Sequence, residues 1–196
     1  GHGYAQFYEK HLNIYKNDKI NILEIGTWKG ASVAAFYHYF KNAIIFCIDK
    51  NFKFQFESNR VNFFNCDTEN FTDIKNLEKY FIEKKSESFE VIIDDGSHNY
   101  TDILNNFQNF FKRIKPGGFY IIEDFNHYGL HSSYFNDKPD NAFDISEIFE
   151  FLLNKKNFKS EDLDHDFQNY CFENISNITI HKGIKDYSYI AFIKKK

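Results

Sequence analysis

Apolar and polar positions along this chain follow two alternating periods. Apolar side chains recur every three or four residues in five stretches, and short unbroken apolar runs lie between these stretches and at the end of the chain. The helical spacing predicts helices over residues 4–16, 30–40, 70–84, 100–114 and 143–157. The unbroken runs predict strands at Ile20–Ile25, Ile44–Asp49, Val61–Cys66, Phe89–Asp94, Phe119–Glu123, Ile175–His181 and Tyr187–Ile193.

Strands that alternate with helices predict a particular fold class. Each strand, helix and following strand can form a right-handed βαβ unit, and such units build a parallel sheet that is covered by helices. We therefore expect an α/β fold, a doubly wound Rossmann-like sheet of seven mostly parallel strands with helices on both faces. The last two apolar runs, over residues 175–193, are expected to close the sheet as a C-terminal antiparallel hairpin.

No linker or internal repeat divides the sequence. Residues 1–196 are therefore expected to form one domain, in which residues 1–18 hold the N-terminal helix. Pro116-Gly117-Gly118 predicts a turn before the fifth strand. Residues 126–142 are polar and rich in His and Tyr, which predicts a long loop on the substrate side of the sheet.

The composition disfavours several kinds of binding partner and indicates the cellular compartment. Aromatic residues make up 20% of the 196 residues, which argues against disorder. No apolar run approaches the roughly 18 residues of a membrane span, and the formal net charge of -4 is unlike that of most nucleic-acid binders. Cys47, Cys66 and Cys171 fit neither a zinc spacing nor a disulfide framework. We therefore expect a cytoplasmic protein that binds neither nucleic acid nor a membrane.

The first strand leads into a glycine-containing turn, Glu24-Ile25-Gly26-Thr27-Trp28-Lys29-Gly30. In an open parallel sheet, ligands bind at the carboxyl ends of the strands. Gly26 permits a sharp turn and a close approach of a ligand to the backbone, and Gly30 relieves crowding where the next helix begins. The spacing is not the G-x-G-x-x-G of dinucleotide binding, which makes NAD less favoured. Glu24 suits an amine-bearing ligand, although a tight turn without a ligand is the alternative.

Two further acids follow the second and third strands. Asp49 lies 23 residues after Gly26, and a carboxylate at this strand end can accept both hydroxyls of a ribose. A helix N-cap is the alternative role for Asp49. Asp67 suits either an adenine amino group or a helix cap, and the two interpretations are equally supported.

The ends of the fourth and fifth strands are rich in carboxylates. The fourth strand ends at Asp94-Asp95-Gly96-Ser97-His98 and the fifth at Glu123-Asp124. If these strands are neighbours, up to four carboxylates meet at one edge and repel one another unless protons or a cation neutralise them. Single acids here can cap helices, but Asp95, Glu123 and Asp124 together favour a hard cation such as Mg²⁺ or Mn²⁺.

Histidines near these acids are candidates for proton transfer. His98 lies on the turn that leaves the sheet, and its pKa range near neutrality suits a general base beside a metal. A metal ligand and an ordinary polar loop residue are its other interpretations. His127, His131 and Tyr134 lie on the predicted loop, where they either contact substrate or have no such role.

These motifs carry a family resemblance. Leu23-Glu24-Ile25-Gly26-x-x-x-Gly30, followed by Ile48-Asp49, resembles the cofactor motifs of class I S-adenosylmethionine-dependent methyltransferases. Residues 92–98 together with residues 121–124 resemble the metal-dependent sugar O-methyltransferases of the mycinamicin and macrocin type, and the related cephalosporin hydroxylase-like group. The resemblance covers residues 2–125, and the rest of the chain matches poorly.

The resemblance implies roles for the candidate residues. His98 would be the catalytic base, and Mg²⁺ (or Mn²⁺) would be held by Asp95, Glu123 and Asp124. S-adenosylmethionine would be bound by Glu24, Gly26, Thr27, Gly30, Asp49, Asp67 and Asp94. The substrate would be a small molecule with a sugar hydroxyl. From the family and the composition, we expect a nucleotide-linked sugar destined for a bacterial surface glycan such as a capsule polysaccharide.

Other functions remain open at this point. An Fe(II)-dependent hydroxylase would normally need two His and one carboxylate on one metal, whereas only His98 lies near the acids in the sequence. A non-catalytic nucleotide-binding subunit would have no need of the acids and His98. A nucleic-acid methyltransferase is disfavoured by the charge and by the lack of an Asn-Pro-Pro-Tyr type segment. The many aromatic residues suit a homo-oligomer interface as well as a core or a pocket wall.

Overall fold

A computed structural model of the protein describes residues 2–54, 56–126 and 138–196. Most of the loop predicted over residues 126–142 therefore lies outside the described residues, and so do His127, His131 and Tyr134.

The described residues form six α-helices and seven strands. The helices are α1 (Ala5–Leu12), α2 (Ala31–Tyr39), α3 (Phe71–Glu83), α4 (Tyr100–Phe110), α5 (Ile145–Leu153) and α6 (His165–Asn174). The strands are β1 (Asn21–Ile25), β2 (Ile44–Asp49), β3 (Val61–Asn65), β4 (Phe89–Asp94), β5 (Ile114–Glu123), β6 (Ile175–Lys182) and β7 (Tyr189–Lys195). Short 3₁₀ turns at Asn13–Tyr15 and Phe111–Arg113 follow α1 and α4. None of these helices has the length and apolar character that crossing a bilayer requires.

All seven strands join one sheet in the order β3-β2-β1-β4-β5-β7-β6. Strands β1 to β5 are parallel, whereas β7 pairs antiparallel with both β5 and β6. The expected α/β class and the C-terminal antiparallel hairpin are thereby confirmed. The strand order reverses between β1 and β4, and this switch point is where open α/β sheets bind their ligands.

Two hydrophobic cores lie on opposite faces of the sheet because side chains alternate along each strand. Leu23 of β1 and Phe46 of β2 face the core under α3 to α6, which contains Phe107. Ile22 and Ile45 face the second core, which lies under α1 and α2. Each fully buried Leu, Ile or Phe contributes about 1.5–3 kcal/mol to folding. These two faces explain why the strands have unbroken apolar runs rather than a polar alternation.

The structure differs from the predicted elements in two places. Strand β5 begins at Ile114, so the predicted turn at Pro116-Gly117-Gly118 lies inside the strand. The pairing of β5 with β4 shifts register there, and such an irregularity accommodates a proline that cannot donate a ladder hydrogen bond. Helix α6 was not predicted at all. Its buried face includes the polar Gln168, which interrupts the apolar pattern.

The turns after β1 and β4 touch backbone to backbone at the switch point. Asp95 N–H donates to the Ile25 carbonyl over 2.9 Å, and Gly26 N–H donates to the Ile48 carbonyl over 2.9 Å. Gly26 has a φ of +87°, and a Cβ at this position would lie 2.2 Å from the Asp95 carbonyl oxygen. Only glycine fits both the left-handed backbone and this close approach.

Gly26→Ala and Gly117→Ala form a matched pair that tests this contact. Gly117 also has a positive φ of +81°, but a Cβ there would meet nothing within 4 Å. We expect Gly117→Ala to lower the free energy of unfolding by about 1–2 kcal/mol through backbone strain alone. Gly26→Ala should lower it by about 1–3 kcal/mol more, because the turns must move apart. Urea denaturation of both variants measures the difference, and equal losses would contradict the close-contact argument.

Candidate active site

A cleft of about 660 Å³ opens at the carboxyl ends of the parallel strands. Its walls are the turns that follow the strands, together with the last residues of β5. They include Gly26–Gly30 after β1, Asp49 and Lys50 at the end of β2, Cys66–Glu69 after β3, Asp95–His98 after β4, and Glu123 and Asp124 at the end of β5. The size is typical of small-molecule sites, and the position is the one expected from the strand order.

The β1 and β2 turns are joined through Asp49. Its Oδ2 accepts from Trp28 N–H and its Oδ1 from Asn51 N–H, both over 2.7 Å. No helix begins among the described residues 50–54 and 56–60, so Asp49 does not cap one. A carboxylate has about four acceptor positions, so Asp49 can still accept hydrogen bonds from a ligand in the cleft.

Glu24 lies behind the wall of the cleft rather than on it. Its side chain is buried, and Oε2 accepts from the Thr27 hydroxyl over 2.7 Å. Its Oε1 has no hydrogen-bond partner among the described residues. Burial raises the pKa of Glu24 to about 7. Thr27 lines the cleft, so Glu24 places a carboxylate directly behind the residue that a ligand would meet.

Asp67 and Asp94 occupy different environments. Asp67 lines the cleft, and its Oδ1 accepts from Glu69 N–H over 3.2 Å. The cap of α3 is Asn70, so the cap interpretation of Asp67 is wrong. Asp94 is buried and does not line the cleft.

The Asp94 carboxylate is used for internal hydrogen bonding. Its Oδ1 lies 3.3 Å from both Gly96 N and Asn106 Nδ2, and its Oδ2 lies 3.4 Å from the Tyr120 hydroxyl. Burial raises its pKa to about 7. Successive side chains of a strand point to opposite faces, which is why Asp94 and Asp95 separate. Asp94 therefore lies outside the cleft, whereas the resemblance implied that it contacts the cofactor.

Asp95, His98 and Asp124 converge at the ends of β4 and β5. Each offers one ligand atom, and these atoms all lie within 4.8 Å of one another. His98 Nε2 lies 3.8 Å from Asp95 Oδ1. His98 and Asp124 both have left-handed backbones, with φ values of +61° and +50°. Such strain in non-glycine residues concentrates at functional sites.

Negative charge is crowded at this edge. Burial, followed by the neighbouring Glu123 and Glu24, raises the pKa of Asp95 well above its usual range. Glu123 lines the cleft but lies outside the group of three, and burial raises its pKa to about 7. The cleft-lining lysines, Lys29 and Lys50, belong to the β1 and β2 turns at the other end. These carboxylates can be neutralised either by taking up protons or by binding a cation.

Three N-terminal residues that the sequence did not mark as site residues reach the acidic pair. The Tyr4 hydroxyl donates to Asp124 Oδ1, and the Tyr8 hydroxyl donates to Glu123 Oε1. His2 Nδ1 lies 3.1 Å from Asp124 Oδ1. Burial is the main cause that raises the pKa of both phenols, and they remain protonated donors. Their spacing along the helix was the available signal, but it is equally typical of a core-facing stripe.

The comparisons place the chain among known proteins. A family model described as a methyltransferase domain matches residues 23–125, more than half of the chain. Demethylmacrocin O-methyltransferase of Streptomyces fradiae is 28% identical over 130 residues, which are 63% of this chain and 32% of that protein. Mycinamicin VI 2''-O-methyltransferase of Micromonospora griseorubida is also 28% identical over 130 residues, covering 63% of this chain and 31% of its own length. The chain thus spans about a third of the length of these curated relatives.

A solved structure extends the likeness to nearly the whole chain. The MycE methyltransferase in complex with Mg, SAH and mycinamycin VI superposes with a TM-score of 0.73 and 22% sequence identity. The match covers 98% of this chain and 49% of that one. At this identity, the likeness establishes a shared fold.

Glu24→Gln tests the buried carboxylate through the pH dependence of stability. The pKa of Glu24 in the folded protein, about 7, exceeds its ordinary value of 4.5. The folded state therefore binds more protons between these values, and Glu24 makes stability fall as the pH rises from about 4.5 to 7. Without ligand, Glu24→Gln should lose less stability than the wild type over this range, by up to about 1.4 kcal/mol per pH unit. At pH 8 the variant should therefore be more stable than the wild type.

Thermal unfolding of both proteins from pH 5 to pH 8 measures this effect. Glu69→Gln, which removes an exposed carboxylate from the other side of the cleft, controls for the change in net charge. Parallel curves for the wild type and Glu24→Gln would contradict the assignment.

Proposed function

Because the chain belongs to the methyltransferase-domain family whose model matches residues 23–125, we propose that it is an O-methyltransferase. It moves a methyl group from S-adenosylmethionine to a sugar hydroxyl, and it uses a divalent cation, Mg²⁺ or Mn²⁺. The observation that carries the proposal is the convergence of Asp95, His98 and Asp124 in the same cleft as the glycine turn after β1. A methyl donor and an acceptor hydroxyl can therefore meet beside one base.

The part of the cleft near β1 and β2 fits S-adenosylmethionine. Its walls combine Asp49, which retains acceptor capacity for ribose hydroxyls, with Asp67 and the backbone of Gly26. The unpartnered Oε1 of buried Glu24 favours positive charge nearby, and a ligand with an ammonium and a sulfonium group provides it. The MycE methyltransferase structure contains SAH and Mg, which supports this assignment by analogy.

The part of the cleft near β4 and β5 fits a hard cation. The donors are the carboxylates of Asp95, Glu123 and Asp124, and oxygen donors of this kind suit Mg²⁺ and Mn²⁺. Burial, and after it the charge of the neighbouring Asp124, raises the pKa of Glu123 to about 7, and a bound cation would favour the ionised form again. When bound, S-adenosylmethionine supplies an electrophilic methyl group and the cation lowers the pKa of a neighbouring hydroxyl.

His98 is the proposed base. Its Nε2 lies 3.8 Å from Asp95 Oδ1, so an imidazolium formed there is stabilised by a carboxylate. His98 takes the proton from the acceptor hydroxyl at this ring nitrogen, a role typically worth about 10²–10⁴-fold in rate. The walls of the cleft would hold the two reactants close to each other, and this positioning would supply much of the remaining acceleration.

The charged residues of the cleft indicate whether the acceptor substrate carries a phosphate. Arg60 donates to backbone carbonyls and Arg113 to Glu78, so neither arginine of the chain is placed to hold a phosphate in the cleft. Among the lining residues, seven carboxylates outnumber two lysines. This favours a glycoside without phosphate over the nucleotide-linked sugar expected from the sequence, and the surface-glycan destination stays a prediction.

The iron-dependent hydroxylase has less support. Its usual site holds two His and one carboxylate, whereas the described group holds one His and two carboxylates. A non-catalytic subunit would have no use for the strained backbones of His98 and Asp124.

His98→Ala is expected to lower turnover about 10²–10⁴-fold, because the acceptor proton loses its base. The affinity for S-adenosylhomocysteine, measured by calorimetry, should stay within about twofold, since His98 belongs to the turn after β4 and not to the β1 and β2 turns proposed to hold the cofactor. His165→Ala, which removes an exposed histidine of α6, is the control. Methyl transfer to a panel of neutral glycosides measures turnover, and unchanged turnover would remove His98 from the mechanism.

A thermal-shift panel tests the cofactor and the cation separately. S-adenosylhomocysteine at about 100 times its Kd adds about 2.7 kcal/mol, which is about 5–10 °C for a chain of this size. Asp95→Asn should keep this shift and lose the additional shift that Mg²⁺ gives to the wild type. A shift with 2-oxoglutarate or NAD⁺ in place of S-adenosylhomocysteine would overturn the proposal.

A further inference from the structure

Two tyrosines of the N-terminal segment contact the two acids at the end of β5. Tyr8 lies in α1 and Tyr4 caps it, so the two rings leave neighbouring turns on one side of the helix. Tyr8 donates to Glu123 Oε1 and Tyr4 to Asp124 Oδ1. Each acid thus accepts from its own phenol, across 115 and 120 residues of sequence, and Asp124 Oδ1 also lies 3.1 Å from His2 Nδ1.

Further contacts fix the positions of Tyr8 and Asp124 in the fold. The Tyr8 ring packs edge-on against Phe36 and Phe192, with centroid distances of 5.5 and 5.8 Å. The backbone N–H of Asp124 donates to the Tyr189 carbonyl over 2.7 Å. Contacts from α1 and β7 therefore add to the pairing of β5 with β4 in orienting the acidic pair.

A phenol suits this task better than a cationic side chain. It satisfies one oxygen of a carboxylate through one directed hydrogen bond, and it leaves the other oxygen for a ligand. It also leaves the negative charge of the carboxylate in place, whereas Lys or Arg would compete with a metal ion. Partners of this kind typically change metal affinity by 10–100-fold.

We propose that Tyr4 and Tyr8 are positioning residues that orient Asp124 and Glu123 for the divalent cation, so that docking of α1 and cation binding are coupled. The inference rests on the proposed function, because the cation site is part of that function. A cation that binds the docked state more tightly must stabilise that state to the same extent. The N-terminal helix is then part of the cation site although it supplies no ligand atom.

Tyr15 provides a matched control within the same segment. It lies in the 3₁₀ turn after α1, and its hydroxyl donates to the Gly117 carbonyl over 3.1 Å. Gly117 is near the start of β5, at the opposite end from Glu123. Tyr15→Phe therefore removes one hydrogen bond between the N-terminal segment and β5 without touching the acidic pair.

The test measures Mn²⁺ binding by electron paramagnetic resonance for Tyr4→Phe, Tyr8→Phe and Tyr15→Phe. We expect Mn²⁺ affinity to fall about 10–100-fold in the first two variants and to stay within about twofold in the third. The affinity for S-adenosylhomocysteine should stay within about twofold in all three. A purely structural role would instead weaken both ligands together.

Hydrogen exchange of the wild type provides a second measurement that needs no variant. Saturating Mg²⁺ should slow the exchange of the α1 amides, residues 5–12, and leave the α6 amides unchanged. Unchanged α1 exchange would count against the coupling.

The outcomes separate the two proposals. If the wild type binds Mn²⁺ and the Tyr4 and Tyr8 variants bind it equally well, the positioning role is overturned and the proposed function stands. If the wild type binds no Mn²⁺, the cation part of the proposed function fails, and the positioning role fails with it.

Discussion

The turns that leave β1 and β4 touch backbone to backbone, and the arrangement of the cleft depends on that contact. A Cβ on residue 26 would collide with the Asp95 carbonyl oxygen, so only glycine fits there. The Asp95 N–H donates a hydrogen bond to the Ile25 carbonyl across the switch point. The contact brings the glycine turn and the acids of β4 and β5 into one cleft. In the proposed function, this cleft would hold the methyl donor and the cation beside the same acceptor hydroxyl.

The same arrangement opposes stability in the absence of ligands. Burial raises the pKa values of Glu24 and Glu123 to about 7, so both carboxylates lose favourable hydration when the chain folds. Positive charge from a cofactor and a metal would reverse this penalty. Active sites commonly trade stability for function in this way, and the ligands then become part of the folding energetics.

Local patterns in the sequence predict much of the fold and the strand ends that carry the site residues. The strand ends at Ile25, Asp49 and Asp94 are visible as apolar runs that stop at glycine or acid. Helix α6 escaped prediction because Gln168 interrupts its buried face, and the start of β5 escaped because proline and glycine usually mark turns. Local periodicity reports which residues are buried, but not the irregularities that tertiary packing tolerates.

The sequence by itself determined the α/β class, the parallel direction of the strands in each βαβ unit and the residue types at each strand end, because these depend on side-chain period and on neighbours in the chain. Only the tertiary structure decided that Asp94 faces inward with Asn106 while Asp95 faces the cleft. It also decided that Tyr8 reaches Glu123. Contacts between residues more than 100 positions apart depend on strand register and helix docking, and no local pattern encodes that geometry.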